Sequence, residues 1–462
     1  MLGFFVILGF LFLILSLVTI IGLKSYCFDM LLIFIITWTG ESFVDYGLTP
    51  DHFPDLLFIY LIFLMSIKLL MSESKESAKA GFYLPGFTIF SMLIATCIVS
   101  AIINGTDFIR VALFVRYFLL PYLFFIIVYN LDLNDNEIKS INKFLIFLLI
   151  TQVLVGTLKW IILPGIPGQF GQESFTGTYA THGGSSHVLI PLIAIGFIVP
   201  MYFNRNKKIY LLMFMSFIWY ALIGAKRAAF FVLPVFIVPI FYFMKAKFRF
   251  RFSRMILTIT LIATSLYLIV ILNYTFNPEG TIGGSFNLKY VLNYTKNYIT
   301  GEGAQLGEHY TFGRYASTKR VIKHIINSKL KNLLFGFGPG VALKSGIVSS
   351  THRSFFLSIG IEDGITGFIW MISQAGMLGA GLFIYFLLHL LRLTKRDYVR
   401  LSEPYWNILV IGTLGVFLVF LFDFLFYSEA FIRGEYLLFL FFYLTAISLR
   451  REKLSKHNSY QE

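Results

Sequence analysis

The chain has 462 residues, of which 57% are apolar and 13% charged, with 53 Phe and 26 Tyr among them, and a mean hydropathy of +0.77. A soluble protein carries roughly a quarter of its residues as charges, so this composition excludes a water-soluble globule and a disordered chain. The formal charge of +14 reads as basic residues collected at anionic headgroups, not as a nucleic-acid footprint, and no nucleic-acid module is recognisable.

A helix needs about twenty mostly apolar residues to cross the hydrocarbon core. Candidate spans lie near 3–22, 28–46, 54–71, 86–104, 110–129, 143–163, 186–203, 209–225, 228–244, 255–274, 366–391, 405–427 and 434–449, thirteen in all. The expected fold class is an all-α polytopic membrane protein with one large external loop containing short helices. The first stretch has neither a basic region before it nor a small-residue cleavage site after it, and reads as a span, not a signal peptide. Cys27 and Cys97 sit in or beside apolar runs at no metal-ligand or disulfide spacing.

Basic residues cluster in four segments: Arg205, Lys207 and Lys208; Lys245, Lys247, Arg249, Arg251 and Arg254; Arg392, Lys395, Arg396 and Arg400; and Arg450, Arg451, Lys453 and Lys456. Thirteen spans put all four on one side, which the positive-inside rule makes the cytoplasm. The N-terminus then lies outside, as does 275–365, the longest connection. Long connections without secondary structure of their own are commonly functional. The chain divides into a transmembrane scaffold (1–164), helices carrying a candidate anion-binding Arg (165–274), the external loop (275–365), and C-terminal spans with a cytoplasmic tail (366–462).

Charge at membrane depth is costly and marks function. Lys226 and Arg227, in Ile223-Gly224-Ala225-Lys226-Arg227-Ala228, stand at the outer junction of two spans; they read either as snorkelling cations or as a clamp for phosphate oxygens. Arg314 follows Gly313 at the amino end of a basic amphipathic stretch, where free N–H groups also favour an anion. The run Phe335-Gly336-Phe337-Gly338-Pro339-Gly340 lacks the Lys-Ser/Thr of a phosphate loop and the strand of a dinucleotide site, and reads as a tight, exposed turn. His352 precedes the eleventh span and suits a general base on a sugar hydroxyl. His182 and His187 have no carboxylate or cysteine beside them for a metal, and Glu41, Asp45, Asp51 and Asp55 form an acidic cluster at the second loop. Lys159, Arg110 and Arg116 are the cations inside spans that a transport path would use.

From residue 165 to 391 these elements resemble, in order, the O-antigen polymerase and O-antigen ligase family of bacterial membrane glycosyltransferases. The resemblance runs through Phe175-Thr176-Gly177-Thr178-Tyr179, the Gly224-Ala225-Lys226-Arg227 junction, Gly313-Arg314, the glycine turn, His352, and Gly376-Met377-Leu378-Gly379-Ala380-Gly381. The family's small-residue-Arg-Gly turn reads Lys226-Arg227-Ala228 here, and its His-Asn/Ser reads His352-Arg353. The resemblance implies a donor glycan on undecaprenyl diphosphate, Arg227 and Arg314 as diphosphate contacts with Lys226 and Arg353 beside them, and His352 as base. It implies neither metal nor cofactor, and as partners the lipid-linked oligosaccharide, membrane lipid and a chain-length regulator, without nucleic acid. A polysaccharide polymerase is expected, with a ligase transferring polymer to lipid A-core, a lipid-linked oligosaccharide transporter, and an enzyme using the early acidic loop as alternatives.

Overall fold

The computed structural model describes residues 27–45, 53–71, 84–131, 133–162, 175–178, 185–224, 227–245, scattered positions from 256 to 287, 288–300, 305–306, 309–310, 313–343, 352–361, 364–400, 403–429, 432 and 435–459. Among these residues the helices are α1 (Cys27–Asp45), α2 (Phe53–Met71), α3 (Phe87–Asn104), α4 (Phe108–Asn130), α5 (Asp135–Ile162), α6 (Ser186–Arg205), α7 (Lys208–Ile223) and α8 (Arg227–Lys245). The long connection then contributes α9 (Leu288–Thr300), a two-stranded pairing of β1 (Gln305–Leu306) with β2 (His309–Tyr310), α10 (Arg314–Ile326), α11 (Leu330–Phe335) and α12 (His352–Ser358). The chain closes with α13 (Gly367–Arg400), α14 (Pro404–Phe422, running into a π-helical turn at Asp423–Tyr427) and α15 (Glu435–Ser459).

Among the described residues six helices are long and apolar enough to cross a membrane: 87–104, 108–130, 135–162, 186–205, 367–396 and 404–427. Shorter apolar helices cover 29–39, 56–69, 208–223, 236–245 and 437–450, each within or against an expected span. The expected span at 3–22 lies outside the described residues, and that at 255–274 is described only at scattered positions.

Local sequence accounts for the helix ends. Gly86 (φ 71°) and Gly105 (φ 62°) bracket α3 in the left-handed conformation that glycine adopts without a Cβ penalty. Asp107 caps α4 by accepting from Arg110 N at 2.9 Å. Asn134 and Glu137 form a reciprocal cap on α5: Asn134 Oδ1 accepts from Glu137 N, and Glu137 Oε2 accepts from Asn134 N, both at 3.0 Å.

In α15 the residues from Leu437 to Arg450 are all buried, and the helix packs against α4, α14, α13 and α1. Phe rings fill the spaces between: Phe58 lies 4.0 Å from Phe439, Phe34 5.2 Å from Tyr443, and Phe420 stacks on Phe441 at 5.4 Å. Close helix approach depends on small residues, as expected where lipid offers no hydrophobic drive. A Cβ on Gly415 of α14 would sit 3.4 Å from Gly196 Cα of α6, and one on Gly412 would overlap the Phe197 ring at 2.1 Å.

At the C-terminal end α15 continues past the expected span to Ser459, and Arg450 is 6% exposed. The basic stretch from 313 is two helices, α10 and α11, separated at 327–329. Asn327 closes the first, its N–H donating to Lys323 O.

Candidate functional site

The glycine run that follows α11 organises one end of the bundle. It was expected to be exposed; Gly336, Gly338, Pro339 and Gly340 are instead buried. All three glycines have positive φ, of 75°, 107° and 87°, and each presses its Cα against a neighbour. An added Cβ would meet the Gln374 carbonyl carbon at 2.6 Å, Thr106 Oγ1 at 2.3 Å, and Arg110 Cβ at 2.6 Å, respectively. Facing the turn, Gly376 interrupts α13 with φ 68° and ψ −171°, a region reserved for glycine. Hydrogen bonds across the interface hold the turn against this break. Phe337 N donates to Ser373 O at 2.8 Å, Ser100 Oγ donates to Phe335 O at 2.5 Å, Gly340 N donates to Gln374 Oε1 at 2.8 Å, and Trp370 Nε1 donates to Ala342 O at 3.0 Å. Helices α3 and α4, expected to be scaffold alone, therefore form half of the turn's seat.

On this seat the connection assembles. Ring contacts run from His324 of α10 to Phe337 of the turn (5.4 Å) and from Phe337 to Phe355 of α12 (5.5 Å). Arg320 donates to Gly360 O at 2.9 Å, tying α10 to the chain just past α12. The helix led by Arg314, the glycine turn and the helix led by His352 thus pack as one unit.

Arg314 opens α10 after Gly313. Its guanidinium lies over the Tyr427 ring, 4.6 Å from the centroid, and its Nε donates to the Tyr427 carbonyl. Tyr427 ends the π-helical turn that finishes α14, and π-turns are frequent at functional sites. In the same turn the fully buried carboxylate of Asp423 accepts from the Ser428 hydroxyl, while Gly367 N donates to Ser428 O at 2.9 Å. The arrangement aims a planar cation, held by a π face and a carbonyl, at the end of an apolar helix.

The other expected site residues are reached only by their backbone. Arg227 begins α8 and His352 and Arg353 begin α12, but their side chains lie outside the described residues, as does all of Lys226. Likewise His182, Asp51 and the side chains of Glu41, Asp45 and Asp55 lie outside them.

A second polar network lies between α5, α6 and α7. The Phe175–Thr178 stretch is held by Gln152, which accepts from Thr178 N and donates to Thr178 Oγ1, both at 2.8 Å. Thr178 Oγ1 donates in turn to Trp38 O at 3.0 Å. Gly177 N donates to Tyr220 Oη at 3.0 Å and Gly177 O accepts from Lys159 Nζ at 2.9 Å. His187 is a packed core residue: fully buried, its Nδ1 3.0 Å from Tyr220 O and its ring 4.6 Å from the Tyr220 ring. Of the three cations set aside for a transport path, Lys159 serves this strap. Arg110 lies in the first turn of α4, paired with Asp107 at 3.0 Å, and Arg116 lies 5.1 Å from the Tyr117 ring.

No protein-family model matches the chain, and no curated protein matches it. Function has to be argued from the residues themselves.

Sequence reasoning passed over Tyr427, Asp423, Gln152 and Gln374. Asp423 carried a usable signal, since a carboxylate within an apolar span of 24 residues is a functional or structural site by default.

Proposed function

We propose that this chain is a polysaccharide polymerase of the O-antigen, capsule or exopolysaccharide type, a metal-independent glycosyltransferase at the outer face of a bacterial cytoplasmic membrane. It transfers a growing glycan from undecaprenyl diphosphate to a lipid-linked repeat unit. It has thirteen spans, an external connection at 275–365 and a chain-length regulator as partner. The observation that carries it is the convergence of the Arg314 helix, the glycine turn and the His352 helix at one end of the bundle, with Arg314 held against the last turn of an apolar helix. A lipid-linked diphosphate presents its charge at that depth while its tail stays among the helices.

The chemistry follows from that depth. An acceptor hydroxyl attacks the anomeric carbon, the bond from that carbon to the diphosphate oxygen breaks, and the hydroxyl proton passes to His352. Negative charge grows on the departing diphosphate. Preorganised guanidinium groups stabilise growing charge better than water, because they need no reorganisation. Arg314 and Arg227, with Lys226 and Arg353 beside them, supply that cationic surface, and a single displacement inverts the anomeric centre. A ligase would use the same donor chemistry with a different acceptor, so the resemblance supports both and the acceptor distinguishes them.

The test is reconstitution of the purified protein in liposomes with an undecaprenyl-diphosphate-linked repeat unit, read as a polymer ladder. Arg314→Ala, Arg227→Ala and His352→Ala are each expected to abolish the ladder while the protein still elutes as a folded species. Full-length polymer from these variants would remove the assignment. Capping of an acceptor by a single chain, without a ladder, would favour the ligase.

A further inference from the structure

A cavity of about 600 Å³ opens at the opposite end of α14 from Arg314, within the 300–1,000 Å³ usual for ligand pockets. Tyr405, on its wall, and Tyr427, under Arg314, are separated by roughly 30 Å of helix at 1.5 Å per residue, which is the thickness of a hydrocarbon core. The two features therefore stand at opposite membrane surfaces. The cavity's depth is apolar, lined by residues such as Leu149, Phe197 and Leu444 from α5, α6 and α15. Its lining also carries Lys139, Lys143 and Arg205.

Charge and hydrogen bonding at this lining are unbalanced in an informative way. Lys139 Nζ lies 5.6 Å from the Tyr405 ring centroid, and Lys143 and Arg205 are exposed. Lys207 and Lys208 follow in the turn after Arg205. Three acids lie nearby: Asp135 is within electrostatic reach of Tyr405, Glu137 accepts from the Asn134 N–H, and Glu403 stands two residues before Tyr405 at the start of α14. The balance stays positive. Asn142 donates to Tyr405 Oη at 2.8 Å, while its own Oδ1 is buried with no hydrogen-bond partner among the described residues. A phosphate suits the cations, an acyl chain suits the depth, and the lone acceptor suits a headgroup hydroxyl.

We propose that this cavity is a binding site for an anionic glycerophospholipid with a hydroxyl-bearing headgroup, its phosphate held by Lys139, Lys143 and Arg205 and its acyl chain between α5, α6 and α15. The site is independent of the transferase reading and stands on the other surface from it.

Native mass spectrometry of the full chain, extracted from bilayers of matched-chain phosphatidylglycerol and phosphatidylcholine, tests it. Wild type is expected to retain phosphatidylglycerol preferentially. Lys139→Gln, Lys143→Gln and Arg205→Gln should each reduce that preference about fivefold, given about 1 kcal/mol per surface cation. Asn142→Leu should narrow the preference for phosphatidylglycerol over phosphatidic acid, which lacks the glycerol hydroxyls. Unchanged preference in the triple charge variant overturns the proposal, as does displacement of phosphatidylglycerol by an equal amount of polyprenyl phosphate. Met213→Trp, which fills the apolar part, separates cavity from surface. If phosphatidylglycerol retention survives that substitution, the lipid is adsorbed outside and the proposal fails.

Discussion

Replacing Gly376 with alanine tests whether the interlocked glycines hold the loop unit to the bundle. Its φ of 68° with ψ of −171° costs a residue with a Cβ about 1–3 kcal/mol. The new methyl would also lie 2.3 Å from Leu334 O and 2.5 Å from Gly336 N. These are backbone atoms of α11 and the turn, so no rotamer change relieves the overlap, and forced repacking adds about 1–3 kcal/mol. Together the two predict a destabilisation of about 3 kcal/mol or more. Two controls separate the contributions. Gly105 has φ 62° but nothing within 4 Å, so Gly105→Ala should cost about 1–2 kcal/mol from strain alone. Gly381 has neither a positive φ nor a close neighbour, so Gly381→Ala should be neutral or stabilising by up to about 1 kcal/mol, as expected inside a helix. The assay is unfolding of the purified protein in mixed micelles titrated with sodium dodecyl sulfate. Equal losses for Gly376→Ala and Gly105→Ala would refute the interlock, because the contact with α11 would then contribute nothing.

Three further perturbations test other parts of the molecule. Asp29, fully buried, pairs with Lys68 of α2 at 2.7 Å; Asp29→Ala should cost about 3 kcal/mol by removing the ammonium's buried counter-charge, and the apolar pair Asp29→Leu with Lys68→Met should recover most of it, both read in the same micelle titration. Gln152→Leu leaves Thr178 N–H without its acceptor, a loss of about 1–3 kcal/mol, detectable as faster hydrogen exchange at Thr178. The Ser285 hydroxyl and N–H, bonded to Glu279 at 2.5 and 3.0 Å, hold its carboxyl below the usual carboxylate range. The bond is therefore present above the ordinary Glu pKa and lost as pH falls through the lowered one. Exchange protection at Ser285 N–H, corrected for intrinsic rate, should fall in that acidic window and become pH-independent in Glu279→Gln.

Most of the helical frame is legible in composition, because crossing a bilayer demands a long apolar run and little else; 54–71, 86–104 and 186–203 each coincide closely with a helix. The site is less legible, and for a specific reason. The spacing of Gly336, Gly338 and Gly340 announces positive φ and a tight turn, but nothing local names Thr106, Arg110 and Gln374 as the atoms those glycines must approach. Burial of the turn is a tertiary property, set by partners more than two hundred positions away in the case of Thr106 and Arg110. The π-turn is hidden differently. Phe422 to Tyr427 reads as continuous helix with Asp423 as its one polar residue, and nothing in that pattern marks the widening that lies alongside Arg314. Arg314 itself is legible, since a cation after a glycine at a helix start is a recognisable anion position, whereas its seat on Tyr427 is not.

The three backbone irregularities share a physical logic that bears on Arg314. At membrane depth a backbone carbonyl released from its helix cannot turn to water, so such breaks survive only where protein supplies donors. The Phe175–Thr178 stretch receives Lys159 on the Gly177 carbonyl, and Gln152 accepts from its Thr178 N–H. The Gly376 break receives the Phe337 N–H on Ser373 O and the Ser100 hydroxyl, 3.2 Å from Gln374 O. The π-turn receives Arg314 on the Tyr427 carbonyl. Arg314 is thus bound into the frame that would present it to a phosphate, and its removal perturbs both. Arg314→Lys separates the two contributions: a lysine keeps the charge but loses the planar fork and much of the stacking on Tyr427. If the residue is only a strap, Arg314→Lys and Arg314→Ala should lower stability to similar extents and lower activity only in proportion. If it also holds the diphosphate, Arg314→Lys should keep measurable polymer synthesis with weakened donor binding, whereas Arg314→Ala keeps none at any donor concentration.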